Sequence, residues 1–188
     1  MSKLPTKLDN PIDIYLIAWA DRISVPLHRM GITPNMVTTA SLVIGLLAAY
    51  NLHQGHYELA AVLSFLAYFL DCLDGHLARK YKQFTNFGDW YDHTSDMVKL
   101  ATMLWVMYKV DKRKFYRVIP VIIIFAAMQS IHLGCQERVY DNTKQSMSLS
   151  LTQKLCPGDP HEQIKYTRYV GCGTFHTVLM LSILYLKP

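Results

Sequence analysis

The segment DCLDGHLARKYKQFTNFGDWYDHTSD, Asp71–Asp96, decides how this chain is read. It sits between two apolar runs, YELAAVLSFLAYFL before it and MVKLATMLWVMYKV after it. A carboxylate at the centre of a bilayer costs about 2.5–3.5 kcal/mol on the insertion scale, and less near the interface. Asp71, Asp74, Asp92 and Asp96 therefore need a compensating partner, and their spacing says what kind. On a helix, Asp71, Asp74, Gly75 and Ala78 fall on one stripe, and so do Gly88, Asp92 and Asp96 on the next. The short link between the two segments predicts antiparallel neighbours whose stripes face each other. Four carboxylates then surround a notch opened by small residues. Oxygen-only ligands suit Mg²⁺ or Mn²⁺, which keep positions open for water or phosphate. Arg79, one turn on, is placed for a phosphate.

The rest of the chain supports a membrane setting. Of the 188 residues, 51% are hydrophobic, gathered in blocks near the length that spans a bilayer, about 20 residues as a helix. The reading is an all-α, polytopic helical membrane protein with five to six transmembrane helices. A single domain covers 1–188, with an N-terminal amphipathic interfacial helix within 1–33 and a transmembrane bundle over 36–186. NPIDIYLIAWADRISVPLHRM carries Asp21 and Arg22 inside its apolar pattern, which suits a helix lying in the interface. Pro34 ends that element and Asn35 can cap the next. Spans are expected at about 36–53, 57–78, 88–108, 116–134 and 166–186. Basic loops are expected at Arg79, Lys80 and Lys82 and at KVDKRKFYR, residues 109–117. The first is placed in the cytoplasm; alternation puts the second opposite, against the positive-inside rule.

The net charge of +5 fits cytoplasmic loops, and no nucleic-acid module is visible. Cys72, Cys135, Cys156 and Cys172 form no CxxC pair and read as single thiols. The N-terminus is too polar for a cleaved signal peptide, so insertion falls to the internal helices. Asp159, His161 and Glu162 near Cys156 read as a solvated loop or cap, because their spacing fits no zinc pattern.

The pattern Asp71-x2-Asp74-Gly75-x2-Ala78-Arg79-x8-Gly88-x3-Asp92-x3-Asp96 resembles the complete signature of the CDP-alcohol phosphotransferases (class I CDP-alcohol phosphatidyltransferases). The resemblance implies transfer of a substituted phosphoryl group from a CDP-linked donor to an alcohol, with release of CMP. It implies a two-metal site of Mg²⁺ or Mn²⁺ on Asp71, Asp74, Asp92 and Asp96, with Asp96 also the general base. It places the nucleotide against Gly75, Ala78, Arg79, Thr85 and Gly88, helped by Asn35 and Thr38 of the TPNxxT segment. It further implies an integral membrane protein with its active site towards the cytoplasm, in the endoplasmic reticulum of a eukaryote or otherwise the cell membrane. A homodimer is also implied, as are six membrane helices, of which five can be placed here.

Two branches match in detail. His76, Gln83, Thr85, Phe87 and Ser95-Asp96 are similar to the phosphatidylinositol synthases, which join CDP-diacylglycerol to inositol. YDHTSD resembles the choline and ethanolamine phosphotransferases, which join CDP-choline or CDP-ethanolamine to diacylglycerol. The first is preferred. For the acceptor, Gln129 and His132 share a face of the fourth span, and Lys165 and Arg168 one at the start of the fifth. Membrane prenyltransferases are disfavoured because their Asp motifs lie far apart in the chain. A divalent-cation transporter wants midplane carboxylates on broken helices and no accompanying Gly75, Ala78 and Arg79.

Overall fold

The computed structural model describes residues 8–139 and 149–188. The start of the N-terminal segment and the middle of the polar stretch lie outside the described residues. Seven α-helices occur among those described: α1 Pro11–Arg29, α2 Pro34–His53, α3 Tyr57–Lys80, α4 Asn86–Val110, α5 Lys112–Val139, α6 Pro160–Thr167 and α7 Cys172–Tyr185. A 3-10 segment, Leu149–Leu155, precedes α6, and another, Arg168–Val170, precedes α7. The chain is a polytopic helical membrane protein. Helices α2, α3 and α5 are long and apolar enough to cross a bilayer. Helix α4 has the length, at 25 residues, but carries Asp89, Asp92, Asp96 and Lys99.

Helix α1 is amphipathic as expected. It buries Asp13, Ala20 and Ser24 and exposes Tyr15 and Trp19. Asn10 caps it by accepting from the Ile12 amide at 3.0 Å, and Pro11 supplies a fixed φ at its first position. Ala20 packs with Leu73 and Leu77 of α3. A polar clasp adds to this: Lys80 Nζ donates to Asp21 at 2.8 Å and to Ser24 Oγ at 3.1 Å, and His76 Nε2 lies 3.0 Å from the same Asp21 oxygen. The Lys80 ammonium, then His76, hold the Asp21 carboxyl below its usual range.

Helix α2 is the keel of the bundle. Its buried residues Val37, Ser41, Gly45, Ala48 and Leu52 recur every three or four positions. Most are small, which lets backbones approach closely, the usual device where lipid removes the hydrophobic drive. Ala48, Ala49 and Leu52 pack with Ala60 and Ala61 of α3 and with Met103 and Met107 of α4. Helices α3 and α4 barely touch each other, whereas α2 packs on both. The expected neighbour pair is therefore a splayed pair bridged by a third helix, and the gap between them becomes the cavity described below.

Three further expectations are corrected. KVDKRKFYR is not a loop: only Asp111 separates α4 from α5. Its lysines and arginines are good helix formers, and Asp111 accepts from the Lys114 amide at 3.0 Å, starting α5 at once. The last helix, α7, begins at Cys172 rather than near 166, because α6 and the second 3-10 segment take up residues 160–170; at 14 residues it is shorter than the about 20 residues that cross a bilayer. Cys135 and Cys156 are not single thiols. They form a disulfide with Cα atoms 4.8 Å apart, which pins the Leu149–Leu155 segment to α5. Among the described residues, Cys72 and Cys172 take part in no disulfide.

Candidate active site

The helical spacing of the Asp motif works as physics requires. Asp71, Asp74 and Asp92 each bring a carboxylate oxygen to within 4.8 Å of the others. Asp74 is buried and accepts from Thr38 Oγ at 2.7 Å, so α2 fixes its rotamer. One oxygen of Asp92 is buried and, among the described residues, has no hydrogen-bond partner. A buried acceptor without a donor is costly, and three carboxylates this close repel one another. A divalent cation relieves both, and the all-oxygen donor set fits one. Asp96 stands outside this trio. Its Oδ1 lies 2.7 Å from Lys99 Nζ, which also reaches Asp71 Oδ1 at 3.1 Å.

A cavity of about 490 Å³ opens over these groups. Asn35, Thr38, Gly75, Ala78, Arg79, Thr85 and Gly88 all line it. Two of them have clear local causes. Thr85 caps α4 by accepting from the Gly88 amide at 2.9 Å. A Cβ on Gly88 would stand 2.9 Å from Thr85 Oγ1 and 3.0 Å from Asn35 Oδ1, so the glycine is what lets the start of α2 approach the start of α4. The Arg79 guanidinium lies over Gly75, where a Cβ would be 3.2 Å from one of its nitrogens.

The opposite wall comes from α1, α5, α7 and the 3-10 segment: Asp13, Gln129, Ser130, Gln136, Thr152 and His176. Of the four acceptor candidates, only Gln129 lines the cavity. His132 is 3% exposed, lies against Thr167 Oγ1 at 3.1 Å and packs on Gly171, so it ties α5 to the turn before α7. Lys165 is exposed and pairs with Glu162 at 2.7 Å, which raises its pKa. Arg168 gives its carbonyl to Asn10 Nδ2 and sets its guanidinium over the Tyr169 ring. Those three do not line the cavity; the late start of α7 moves Lys165 and Arg168 off the face expected for them. His76 is also absent from the lining and serves the α1 clasp.

Residues not anticipated complete the site. Tyr68 stacks on His176 with ring centroids 3.9 Å apart and donates to Asp13 Oδ1 at 2.5 Å. Burial lifts the Asp13 carboxyl to about 6, and the nearby Asp9 charge adds to the rise. A smaller cavity of about 170 Å³, lined by Ala67, Leu100, Met103, Phe175 and Leu179, shares Asp96, Gln129 and His176 with the larger one. It gives the site an apolar extension into the bundle.

Comparison with known proteins finds sequence relatives of this chain. The family model described as CDP-alcohol phosphatidyltransferase matches residues 31–185. The chain is 34% identical over 105 residues to an archaetidylinositol phosphate synthase of Pyrococcus horikoshii, covering 56% of this chain and 52% of that protein. It is 32% identical over 81 residues to a CDP-diacylglycerol--glycerol-3-phosphate 3-phosphatidyltransferase of Rickettsia felis, covering 42% and 45% of the two chains. A protein of the same description from Haemophilus influenzae is 37% identical over 68 residues, 36% of each chain. The chain thus spans about half the length of the first relative and less of the others. No solved structure matches it.

Proposed function

The chain belongs to the CDP-alcohol phosphatidyltransferase family, and from that premise we propose that it moves a phosphatidyl group from CDP-diacylglycerol to a hydroxyl of inositol, giving phosphatidylinositol and CMP. One observation carries the reading: Asp71, Asp74 and Asp92 converge in a cavity that also holds Asp96 and the small residues Gly75, Ala78 and Gly88. Inositol is favoured over other acceptors by Gln83, Thr85, Phe87 and Ser95-Asp96 within the motif, and by polar groups without formal charge on the far wall, Gln129, Ser130, Gln136 and Thr152.

The cytidine nucleotide lies against Gly75, Ala78 and Gly88, with Asn35 and Thr85 at its edge and Arg79 on a phosphate. Asp71, Asp74 and Asp92 would hold the divalent cations, Mg²⁺ or Mn²⁺, and Asp96 would serve as the base beside them. When bound, such cations stabilise the charge that develops on the diphosphate. The acceptor oxygen bonds to the phosphorus that bears diacylglycerol. The bond from that phosphorus to CMP breaks, and CMP leaves with the electron pair. The hydroxyl proton passes to the Asp96 carboxylate, since an alcohol is a poor nucleophile until a base takes its proton. Helices rather than loops carry every one of these carboxylates, which holds reacting groups in line.

YDHTSD supports a second reading, transfer from CDP-choline or CDP-ethanolamine to diacylglycerol, because His93 of that stretch lines the cavity. One experiment separates the two. Detergent-purified protein with Mn²⁺ is given either CDP-diacylglycerol or CDP-choline and a panel of alcohols, and the lipid and CMP are identified. Phosphatidylinositol is the expected product. Asp96→Asn is expected to retain thermal protection by the donor while losing turnover; CMP release at the wild-type rate would remove Asp96 as the base. A transporter would be protected by metal alone, with no added effect of the nucleotide.

A further inference from the structure

Lys99 belongs to none of the eight positions of the motif, yet its ammonium is held on three sides at the site. An ammonium has three donor hydrogens and no acceptor. Lys99 Nζ has three acceptors, one from each of three helices: Ser41 Oγ of α2 at 2.7 Å, Asp71 Oδ1 of α3 at 3.1 Å and Asp96 Oδ1 of its own α4 at 2.7 Å. Ser41 is itself oriented, donating to the Ala67 carbonyl at 2.8 Å, so its lone pairs face the ammonium. Gly45, one turn further along α2, makes room for the stem: a Cβ there would stand 2.8 Å from both Cγ and Cδ of Lys99. The side chain is 14% exposed. A lysine inside a membrane helix is expensive, about as much as an aspartate, and this one is matched donor for donor.

We propose that Lys99 is a positioning residue, a resident cation that fixes the Asp96 carboxylate, so that the four acids divide into a metal-holding trio and a lysine-held base. Asp71, Asp74 and Asp92 converge by themselves, and Asp96, one turn beyond Asp92, is held by Lys99 through Oδ1 while its carboxyl also lies beside that of Asp71. That contact sets the rotamer from which Asp96 meets the acceptor hydroxyl. Asp71 touches both groups and couples them. The inference rests on the transferase reading above, and its test includes a measurement that does not depend on turnover.

The test compares the full chain in detergent with Lys99→Met, reading kcat, KM for CDP-diacylglycerol and Mn²⁺ affinity by electron paramagnetic resonance. Misplacing a reacting group by about 1 Å costs about 10²-fold in rate. The expectation is a kcat lower by about 10²-fold, a donor KM within about threefold of wild type, and Mn²⁺ binding that is unchanged or tighter, because a positive charge beside Asp71 has gone. A kcat within about twofold of wild type overturns the proposal. So does Mn²⁺ binding that weakens together with turnover, since Lys99 would then be holding the trio rather than the base. Should Lys99→Met not fold, Gly45→Ala and Ser41→Ala carry the same readouts. Alanine is a better helix former than glycine, so Gly45→Ala is expected to keep its thermal stability while losing kcat; full turnover in both variants overturns the proposal. Wild-type protein that releases no CMP refutes the transferase reading instead, and the Mn²⁺ titration then decides alone whether Lys99 stands apart from the trio.

Discussion

The two walls of the cavity are built by different rules. On the α3–α4 side, function is written into helical spacing: each acid sits on a regular helix, and its position follows from counting residues. On the α5–α7 side, position depends on contacts distant in sequence. The Leu149–Leu155 segment reaches the cavity through Thr152 because Cys156 is bonded to Cys135 and because Gly134 has no side chain. A Cβ there would stand 2.1 Å from the Thr152 carbonyl oxygen, closer than any neighbour could tolerate. The difference suits a family with one chemistry and many acceptors. The wall that would handle the diphosphate is built from local helical spacing, and the wall that would meet the alcohol is assembled from parts distant in sequence.

The largest effect should separate the walls outright. Asp74→Asn and Asp92→Asn each remove an acid of the trio and should lower turnover by about 10³-fold, since metal stabilisation of the transferring group is worth several kcal/mol. Thermal protection by Mn²⁺ should vanish in both. Gln129→Ala, on the far wall, should keep that protection and act on KM for the alcohol. If Gln129→Ala also abolished Mn²⁺ protection, the division into a metal wall and an acceptor wall would be wrong.

A second effect tests how the far wall is held. The Cys135–Cys156 bond closes a loop with a sequence separation of 21, and a crosslink over a loop of that size is worth about 3 kcal/mol in the chain-entropy picture. Changing both cysteines to serine should lower Tm by several degrees and raise KM for the alcohol, leaving KM for the CDP-linked donor near wild type. An unchanged acceptor KM would show that Thr152 and its segment have no part in binding the alcohol.

How much of this could be read without coordinates follows the same division. The stripes of Asp71, Asp74, Asp92 and Asp96 were legible because helical geometry fixes which residues share a face. Only part of the reason for Gly88 was, because one atom it accommodates belongs to Thr85, three residues before it, and the other to Asn35, on another helix. Nor was the role of α2: pattern shows that Ser41, Gly45 and Ala48 are small, but not that they bridge α3 and α4. Lys99 lay in view inside MVKLATMLWV, an isolated cation in an apolar run three residues after Asp96. That was the available signal, and reading it required asking what neutralises a membrane lysine. The disulfide had none, since two scattered cysteines carry no information on pairing.

The smallest effect concerns the seam between the walls, where Asp13 of α1 accepts from Tyr68 of α3 at 2.5 Å and faces the Gly173 amide of α7 at 3.4 Å. Burial has lifted its pKa from 3.8 to about 6, so below about pH 6 the folded protein keeps the acid protonated. Below about pH 4 the group is protonated folded or unfolded, and it contributes no pH dependence. Between about pH 4 and 6 the unfolded chain gives up the proton first, and stability falls as pH rises. Above about 6 the loss is complete, at most about 3 kcal/mol. Asp13→Asn cannot ionise, so any effect of the amide on Tyr68 or Gly173 is a constant offset. The Tm of the variant minus that of wild type should therefore increase by a few degrees between pH 4 and pH 7. A difference that stayed flat would mean that Asp13 is ionised throughout in the folded protein, held by donors beyond Tyr68 and Gly173, and the seam would then be an ionic joint rather than a neutral one.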